Sequence, residues 1–376
     1  MVNISTLGQY LNMSGNLKNQ QAGMTDLTLQ LSTGKKTQSL SGLGADIMKT
    51  TRARTSISSL KVYNDNITNA NRRIKLMDTA IAELKKQTEH ISSALATAVQ
   101  QGDYPDLESI QKTADNIYDF IIGSLINQKD ADRYLFGGAN TTEPPINDVG
   151  LFESTLGNFV PDSSDLTQPP LVASGLVGEW GSGNITTDQF IAAYHGANDT
   201  VLGFTSSLTT GTAGKTTVRV NDTTEFDYTT LANNTSMRDI VMAVGVLRSL
   251  PPVDYAPGAL NDPTATTIAS DVAPWPPKEK QDNFFKVIND LTRTMESAID
   301  ALEKDQYRLA QVQAQTTIMQ NSHKDQIATY EDMVGQAEDA DPTEVSVRIK
   351  QLEMQLQASF QVTALMSQLT LANYLR

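Results

Sequence analysis

Few residues in this sequence have types and spacings that could do chemistry. Its 376 residues include three histidines, His90, His195 and His323, and no cysteine. Without cysteine, disulfides, thiolate metal sites and thiol nucleophiles are excluded, and histidines so far apart in sequence lack metal-ligand spacing. We therefore predict no metal site. Because His323 falls on an apolar stripe, we interpret it as a residue of a helix seam.

Short polar motifs do not change this expectation. The acidic pairs Asp130/Asp132 and Asp339/Asp341 do not follow the twelve-residue ligand pattern of a calcium loop. The stretch Gly42-Leu43-Gly44 is too short for a phosphate-binding loop, and no Gly-x-Ser-x-Gly nucleophile motif occurs. The sequence therefore predicts no catalytic residue and no cofactor, and the chain is not expected to be an enzyme.

The charge and hydropathy of the chain limit the kinds of partner that it is expected to bind. The net charge of −14 argues against nucleic acid, and residues 139–275 contain 15 acidic and 4 basic side chains, which is typical of a solvated acidic surface. The N-terminus lacks the basic and apolar regions of a signal peptide, and no transmembrane segment is expected. The lack of cysteine fits either a reducing cell interior or an exported protein that avoids thiols.

The C-terminal stretch from Pro342 to Arg376 is the helix that we expect to carry the main interaction surface of the protein. Asp341, Pro342 and Glu344 form a helix start with an expected side-chain cap. No charged residue occurs in 354–375, yet Gln, Ser and Thr interrupt this run and make it too polar to span a bilayer. Its apolar residues spread around most of the helix, so we expect it to need protein on several sides. Helical spacing joins Val345, Ile349, Leu352 and Leu356.

Heptad patterns predict three more long helices. One covers residues 1–33 and ends at Gly34, one covers 45–101, and one covers 281–337. The seam predicted for the first consists of Tyr10, Met13, Leu17, Gln20, Met24, Leu27 and Leu31. The two series of the second are Leu60, Ile67, Ile74, Ile81, Thr88 and Leu95, and Tyr63, Ala70, Met77, Leu84, Ile91 and Ala98. The third has Ile288, Met295, Leu302 and Leu309, and Phe284, Leu291, Ala298, Val312 and Met319.

The middle of the chain has a different pattern. A further helix is expected from Asp106 to near Tyr134, antiparallel to the helix before it. Residues 139–275 are rich in Pro, Gly, Thr, Ser and Asn, and predict a β-hairpin over 215–228 and short helices at 187–194 and 237–247.

These elements predict a mainly α fold. We expect an elongated antiparallel helical bundle or coiled coil built from both termini, with an inserted small α+β or mainly β domain. The predicted domains are a terminal-helix assembly domain (1–33 with 342–376), a long helical rod (34–138 with 278–341) and a variable outer domain (139–277). In this arrangement the two charge-poor termini lie at the same end of the molecule.

Several segments resemble the bacterial flagellin family. They are Leu31-Ser32-Thr33-Gly34-Lys35-Lys36, Asp106-Leu107-Glu108-Ser109-Ile110, Leu356–Val362 and Ser367–Leu375. The resemblance covers about 1–138 and 280–376. Within the family, Thr33-Gly34-Lys35, Arg133–Gly138 and Asn373-Tyr374-Leu375 are more similar to hook–filament junction subunits than to filament flagellins. The loop Ser39–Asp46 departs from the family's Ser-x-Asp-Asp-Pro pattern.

The resemblance implies a structural axial subunit of the bacterial flagellum that joins hook to filament. It implies an extracellular protein, exported without a cleaved signal peptide by the flagellar type III export apparatus with an export chaperone, and not inserted in a membrane. Its partners would be copies of itself in a ring-like layer, a neighbouring hook-associated protein and flagellin.

The predicted assembly interface lies on the terminal helices. It comprises Leu7, Tyr10, Leu11, Leu17, Met24, Leu27, Leu31, Leu356, Phe360, Val362, Leu365, Met366, Leu369, Leu371 and Leu375. Three alternatives stay open: a filament flagellin, a secretion-tip or binding protein with a coiled-coil stalk, and an enzyme carried in the insertion.

Overall fold

The chain is mainly α-helical. A computed structural model describes residues 3–101, 107–148, 150–157, 175–181, 184–250 and 278–374. The helices are α1 (Asn3–Thr33), α2 (Ile47–Gln101), α3 (Leu107–Phe120), α4 (Gly150–Leu156), α5 (Leu176–Gly181), α6 (Thr187–His195), α7 (Ser206–Thr209), α8 (Thr235–Ser249), α9 (Lys278–Glu338) and α10 (Pro342–Tyr374). The strands are β1 (Lys129–Asp130), β2 (Arg133–Tyr134), β3 (Thr217–Arg219) and β4 (Glu225–Asp227), and a 3₁₀ segment covers Leu40–Asp46.

The ends of the terminal helices follow local sequence signals. Gly34 has φ +68° and its amide donates to the carbonyl of Gln30, so α1 stops where a left-handed residue is tolerated. Asp341 Oδ1 accepts from the amides of Thr343 (2.8 Å) and Glu344 (3.4 Å), which confirms the predicted cap. These backbone hydrogen bonds lower the pKa of Asp341.

The chain forms two compact units: residues 1–62 with 321–376, and residues 63–320. We call them the terminal unit and the central unit, and each is described by itself. The predicted three-domain division places its boundaries elsewhere and stays a prediction.

In the central unit, α2 and α9 run antiparallel along a heptad seam. Thr316 Oγ1 donates to Asn71 Oδ1 (2.7 Å) and Gln306 Nε2 donates to Asp78 Oδ1 (2.9 Å), so residue numbers rise on one helix as they fall on the other. Nearly all of the predicted seam residues within this unit are buried, which confirms the heptad assignment. They are Ile67, Ala70, Ile74, Met77, Ile81, Leu84, Thr88, Ile91, Leu95, Phe284, Ile288, Leu291, Met295, Ala298, Leu302, Leu309 and Val312.

The third helix ends earlier than the sequence predicted. After α3, residues Ile121–Ile126 form a π-helical turn, and the chain then forms the β1–β2 hairpin, in which Asp130 pairs with Arg133. The physical reason lies in Asn127, whose side chain accepts from the amide of Ile146 (3.0 Å) and donates to its carbonyl (2.8 Å). That pairing fixes the chain outside a helix, and single-sequence periodicity cannot reveal it.

The inserted segment is α+β in the residues described. The predicted hairpin is present as β3–β4, with Val218 opposite Phe226, and α6 and α8 match the two predicted helices. Helices α4, α5 and α7 were not predicted. Trp180, Phe190 and Tyr194 form an aromatic stack, with Trp180 and Phe190 centroids 4.9 Å apart and Phe190 and Tyr194 centroids 5.3 Å apart. This stack gives the insertion part of a buried core.

The described residues were predicted to contain neither a metal site nor a membrane-spanning helix. The described residues contain no cluster of His, Asp or Glu that could hold a metal ion. Among the helices described, none is both long and apolar enough for a membrane span.

Candidate assembly surface

The terminal unit contains a two-helix seam made by α1 and α10. On α10 the less exposed positions recur with alternating steps of four and three. On α1 five members of the predicted seam are partly buried, whereas Leu31, also predicted there, is 42 % exposed, and the side chain of Tyr10 lies outside the described residues. A Cβ placed on Gly23 would lie 3.6 Å from Leu352 Cδ2, so the Leu352 side chain packs against α1 at Gly23. The α10 positions are Val345, Ile349, Leu352, Leu356, Ser359 and Thr363; the α1 positions are Met13, Leu17, Gln20, Met24 and Leu27.

The seam changes from apolar to polar along α10. Ser359 and Thr363 continue the heptad after Leu356, and Ser359 Oγ donates to Gln20 Oε1 at 3.1 Å. Sequence reading placed Gln20 in the seam but did not identify Ser359 or Thr363. Both fall on the heptad that runs from Val345, so the periodicity predicts their positions although their side chains are polar. A hydrogen-bonded polar pair in a seam favours one helix register over slipped ones.

A salt-bridged junction joins the loop after α1 to the end of α9. Lys35 Nζ bonds Asp339 Oδ1 (2.5 Å), Arg54 Nη2 bonds Glu338 Oε2 (2.7 Å), and the Lys36 amide donates to the Glu338 carbonyl (2.7 Å). The hydrogen bond to Asp339 raises the pKa of Lys35. Lys35 Nζ also lies 3.6 Å from Glu338 Oε2, so the buried Glu338 carboxylate is held between two cations within the terminal unit.

The terminal unit has little apolar core of its own. Among its described side chains, the buried apolar ones are Ala53, Ala337 and Val345, and the other buried ones are polar: Thr50, His323 and Glu338. The central unit buries several dozen apolar side chains. Since hydrophobic burial is the main favourable term in folding, this unit is poorly stabilised by its internal contacts.

Instead, α10 exposes large apolar side chains on the part of its circumference outside the seam. Phe360, Val362 and Leu365 are 51 %, 46 % and 59 % exposed. Met354, which precedes them on the same helix, is 62 % exposed. No charged residue lies between Met354 and Leu375 in the sequence. We call Met354, Phe360, Val362 and Leu365 the outer face. An uncharged apolar face of this kind is suited to burial against another protein surface.

The predicted interface residues separate into three groups. Leu11 and Leu31 of α1 are 61 % and 42 % exposed, and they join Phe360, Val362 and Leu365 as accessible residues. The half-buried members, which already contact within the chain, are Leu17, Met24, Leu27 and Leu356. The side chains of Leu7, Tyr10, Met366, Leu369 and Leu371, and all of Leu375, lie outside the described residues.

A polar cluster in the central unit joins Tyr194, His195 and Asp290. Tyr194 Oη donates to Asp290 Oδ2 at 2.5 Å, and His195 Nε2 lies 2.8 Å from the same oxygen. Burial, followed by the bond to Asp290, raises the pKa of Tyr194 far above its ordinary value, which keeps the phenol protonated as a donor. The cluster attaches α6 to α9, so its geometry accounts for packing and supplies no activated nucleophile.

Comparisons with known proteins give a sequence match to a family and weak structural likenesses. The family described as the bacterial flagellin N-terminal helical region matches residues 4–140. No curated protein matches the chain. A solved structure assigned as a flagellar hook-associated protein from Vibrio parahaemolyticus aligns with 79 % of this chain and all of its own, at 13 % identity and a TM-score of 0.44. That score is too low to carry a conclusion.

The matched region contains the features that the sequence resemblance used. Residues 4–140 include α1, the Gly34 stop, α2, α3 and the β1–β2 hairpin. The likeness to the flagellin family is therefore a likeness of this N-terminal helical region.

Proposed function

We propose that this chain is the subunit that joins the flagellar hook to the filament, equivalent to hook-associated protein 3. In this proposal it is exported by the flagellar type III apparatus with a chaperone, and it forms a ring-like layer between a neighbouring hook-associated protein and flagellin. The role is structural rather than enzymatic. The segments around Thr33, Arg133 and Asn373 favour the junction role over that of a filament flagellin.

One observation supports assembly through the chain ends more than any other. The terminal unit buries three apolar side chains in its described part, while the outer face of α10 exposes four large ones. Burying an exposed Phe or Leu side chain contributes roughly 1.5–3 kcal/mol. Contacts with neighbouring copies would therefore supply stabilisation that the terminal unit lacks when alone.

The first test deletes the gene in the parent bacterium and examines the cell surface by electron microscopy. Hooks without filaments, restored by the intact gene, are the expected result. Hooks that carry normal filaments in the deletion strain would contradict the junction role. If instead the purified chain polymerises by itself into long filaments, the protein is a filament flagellin.

A second test concerns the outer face. Phe360→Ser with Leu365→Ser should abolish complementation of the deletion strain, because two apolar contacts are removed from each copy. Free energy of unfolding of the monomer should change by less than about 0.5 kcal/mol per residue, since both side chains are exposed.

The matched control lies on α9. Ile318 and Tyr307 are 67 % and 81 % exposed, and replacing both with Ser removes similar apolar surface away from the chain ends. The control should complement normally. Equal loss in both double variants, or none in either, would show that the outer face has no special part in assembly.

A further inference from the structure

The central unit contains a cleft with an unusual concentration of arginine for so acidic a chain. Its volume is about 670 Å³, and its lining comes from α2, the β1–β2 hairpin, β3 and Tyr228. Four arginines line it, against two aspartates, in a protein of net charge −14. The arginines are Arg72, Arg73, Arg133 and Arg219, and the aspartates are Asp130 and Asp132.

The two α2 arginines share one carboxylate. Arg72 Nη1 lies 3.0 Å from Asp130 Oδ1, and Arg73 Nη1 lies 3.9 Å from Asp130 Oδ2. Arg73 Nη2 also donates to the carbonyl of Tyr134 (3.1 Å). Asp130 can neutralise one of these two charges, so this wall of the cleft keeps a positive charge.

Arg73 is the buried member of the set. Its side chain is 10 % exposed, and its Nε is buried with no hydrogen-bond partner. Tyr228, itself buried, lies against it, and the Arg73 charge partly offsets the rise that burial causes in the pKa of that phenol. A guanidinium is rarely buried unless it is paired, so this one is held in the cleft wall at a cost.

A strained turn forms one rim. Ala131 has φ +55°, and among the described residues it is the one non-glycine residue with positive φ. It occupies the tight turn between β1 and β2, where such backbone angles favour glycine. The turn sets Asp130 opposite Arg133, and the Arg133 side chain extends the positive surface at the exposed edge.

Arg219 defines the opposite rim. Its Nε donates to the carbonyl of Asn221 (3.1 Å) and its Nη2 to that of Asp222 (2.8 Å), which fixes the guanidinium plane. In the described part of the chain, no carboxylate forms an ion pair with Arg133 or Arg219. Arg219 held at one rim, Arg133 exposed at the other, and Arg72 and Arg73 on the α2 wall together suit a ligand with several oxyanions.

We propose that this cleft binds a carboxylate-bearing peptide segment of a second copy of this chain. Planar guanidinium groups bind carboxylates through paired N–H···O bonds, and the chain itself is rich in carboxylates, with 15 acidic residues in 139–275. The cleft lies outside the helical ends, so it would be a second contact between copies. This inference rests on the proposed self-association.

The binding test uses the full chain and a fluorescent hexaglutamate peptide, followed by fluorescence anisotropy at low salt. Saturable binding is expected, and Arg133→Glu and Arg219→Glu should each weaken it by about tenfold. Arg293→Glu, an exposed α9 position in the same unit, is the control and should change affinity by less than about twofold. Circular dichroism and thermal unfolding check that each variant folds.

Three outcomes would overturn the inference. The first is no saturable binding by the parent chain. The second is an equal loss with Arg293→Glu, which would mean that only net charge matters. The third is tight binding of inorganic phosphate with no binding of the peptide, which would assign the cleft to a phosphate-bearing ligand.

Complementation separates this inference from the proposed function. In the deletion strain, Arg133→Glu should lower incorporation of the subunit into flagella, whereas Arg293→Glu should not. Normal incorporation of Arg133→Glu would rule out a second copy as the occupant and leave the junction role intact. Normal filaments in the deletion strain itself would reject the junction role, whatever the cleft binds.

Discussion

At the scale of single residues, His323 has a measurable consequence for stability. It lies on α9 in the terminal unit, is 2 % exposed, and burial lowers its pKa. In the unfolded chain its pKa returns to about 6.5, so the unfolded state takes up a proton before the folded state does. Stability supplied by the neutral imidazole is therefore present above about pH 6.5 and is lost as pH falls below it.

The corresponding prediction uses His323→Leu. For the parent, the urea concentration at the unfolding midpoint should be lower at about pH 5.5 than at about pH 7.5. The variant should show a smaller decrease, because Leu cannot take up a proton. Replacing His90, which is exposed, with Leu provides the control and should leave the parental slope. Identical pH slopes for the parent and His323→Leu would show that His323 does not titrate on unfolding in this range.

The sequence predicted the burial of single residues correctly where the heptad repeat decides which side chains are buried. His323 was predicted as a seam residue and is buried. Leu17 and Phe360 were predicted together as interface, yet one lies half-buried in the seam and the other lies on the outer face. Both are apolar residues on helices with few charges, so residue type alone cannot tell which of them is buried in the seam. The position of the partner helix decides that.

At the scale of elements, the Gln20–Ser359 pair should set the register of α1 against α10. Gln20→Leu replaces the hydrogen-bonded layer with an apolar one, which would stabilise the helix pair by up to about 1 kcal/mol but also allow slipped pairings. Because the chain has no cysteine, disulfide trapping can read the register directly. Gly23→Cys would be combined in turn with Leu352→Cys and with Leu356→Cys.

In the parent background, cross-linking should favour position 352, which faces Gly23. With Gln20→Leu, a larger share should form at position 356. Gln21→Leu, at an exposed neighbouring position, should keep the parental preference. An unchanged preference in Gln20→Leu would mean that the remaining seam residues fix the register without the polar pair.

Elements with long internal periodicity were predictable, and elements fixed by distant contacts were not. Helices α2 and α9 were predicted to within three residues at their ends, since each repeats a heptad over many turns. The β1–β2 hairpin and the π-helical turn before it were missed. Their conformation depends on Asn127 bonding the backbone of Ile146, a contact across 19 residues that no local pattern encodes.

The whole molecule combines two units that differ in what stabilises them. The central unit has a continuous apolar core along α2, α3, α8 and α9, whereas the described part of the terminal unit buries three small or medium apolar side chains. Segments with few buried apolar contacts open locally at low free energy. We therefore expect stability to be unevenly distributed, with the ends of the chain opening more readily than its centre.

Amide hydrogen exchange on the dilute monomer tests this expectation. Amides of residues 11–33 and 346–365 should exchange at least about a hundredfold faster than those of 67–95 and 284–312, since a lower opening free energy of about 3 kcal/mol corresponds to that ratio. If neighbouring copies cover the outer face as proposed, the same terminal amides should become protected in the assembled flagellum. Phe360→Ser with Leu365→Ser should leave monomer exchange unchanged, because both side chains are exposed in the monomer. Strong protection of both ends in the parent monomer would show that the helix pair is stable without neighbours, and the reason for assembly at these ends would then have to lie elsewhere.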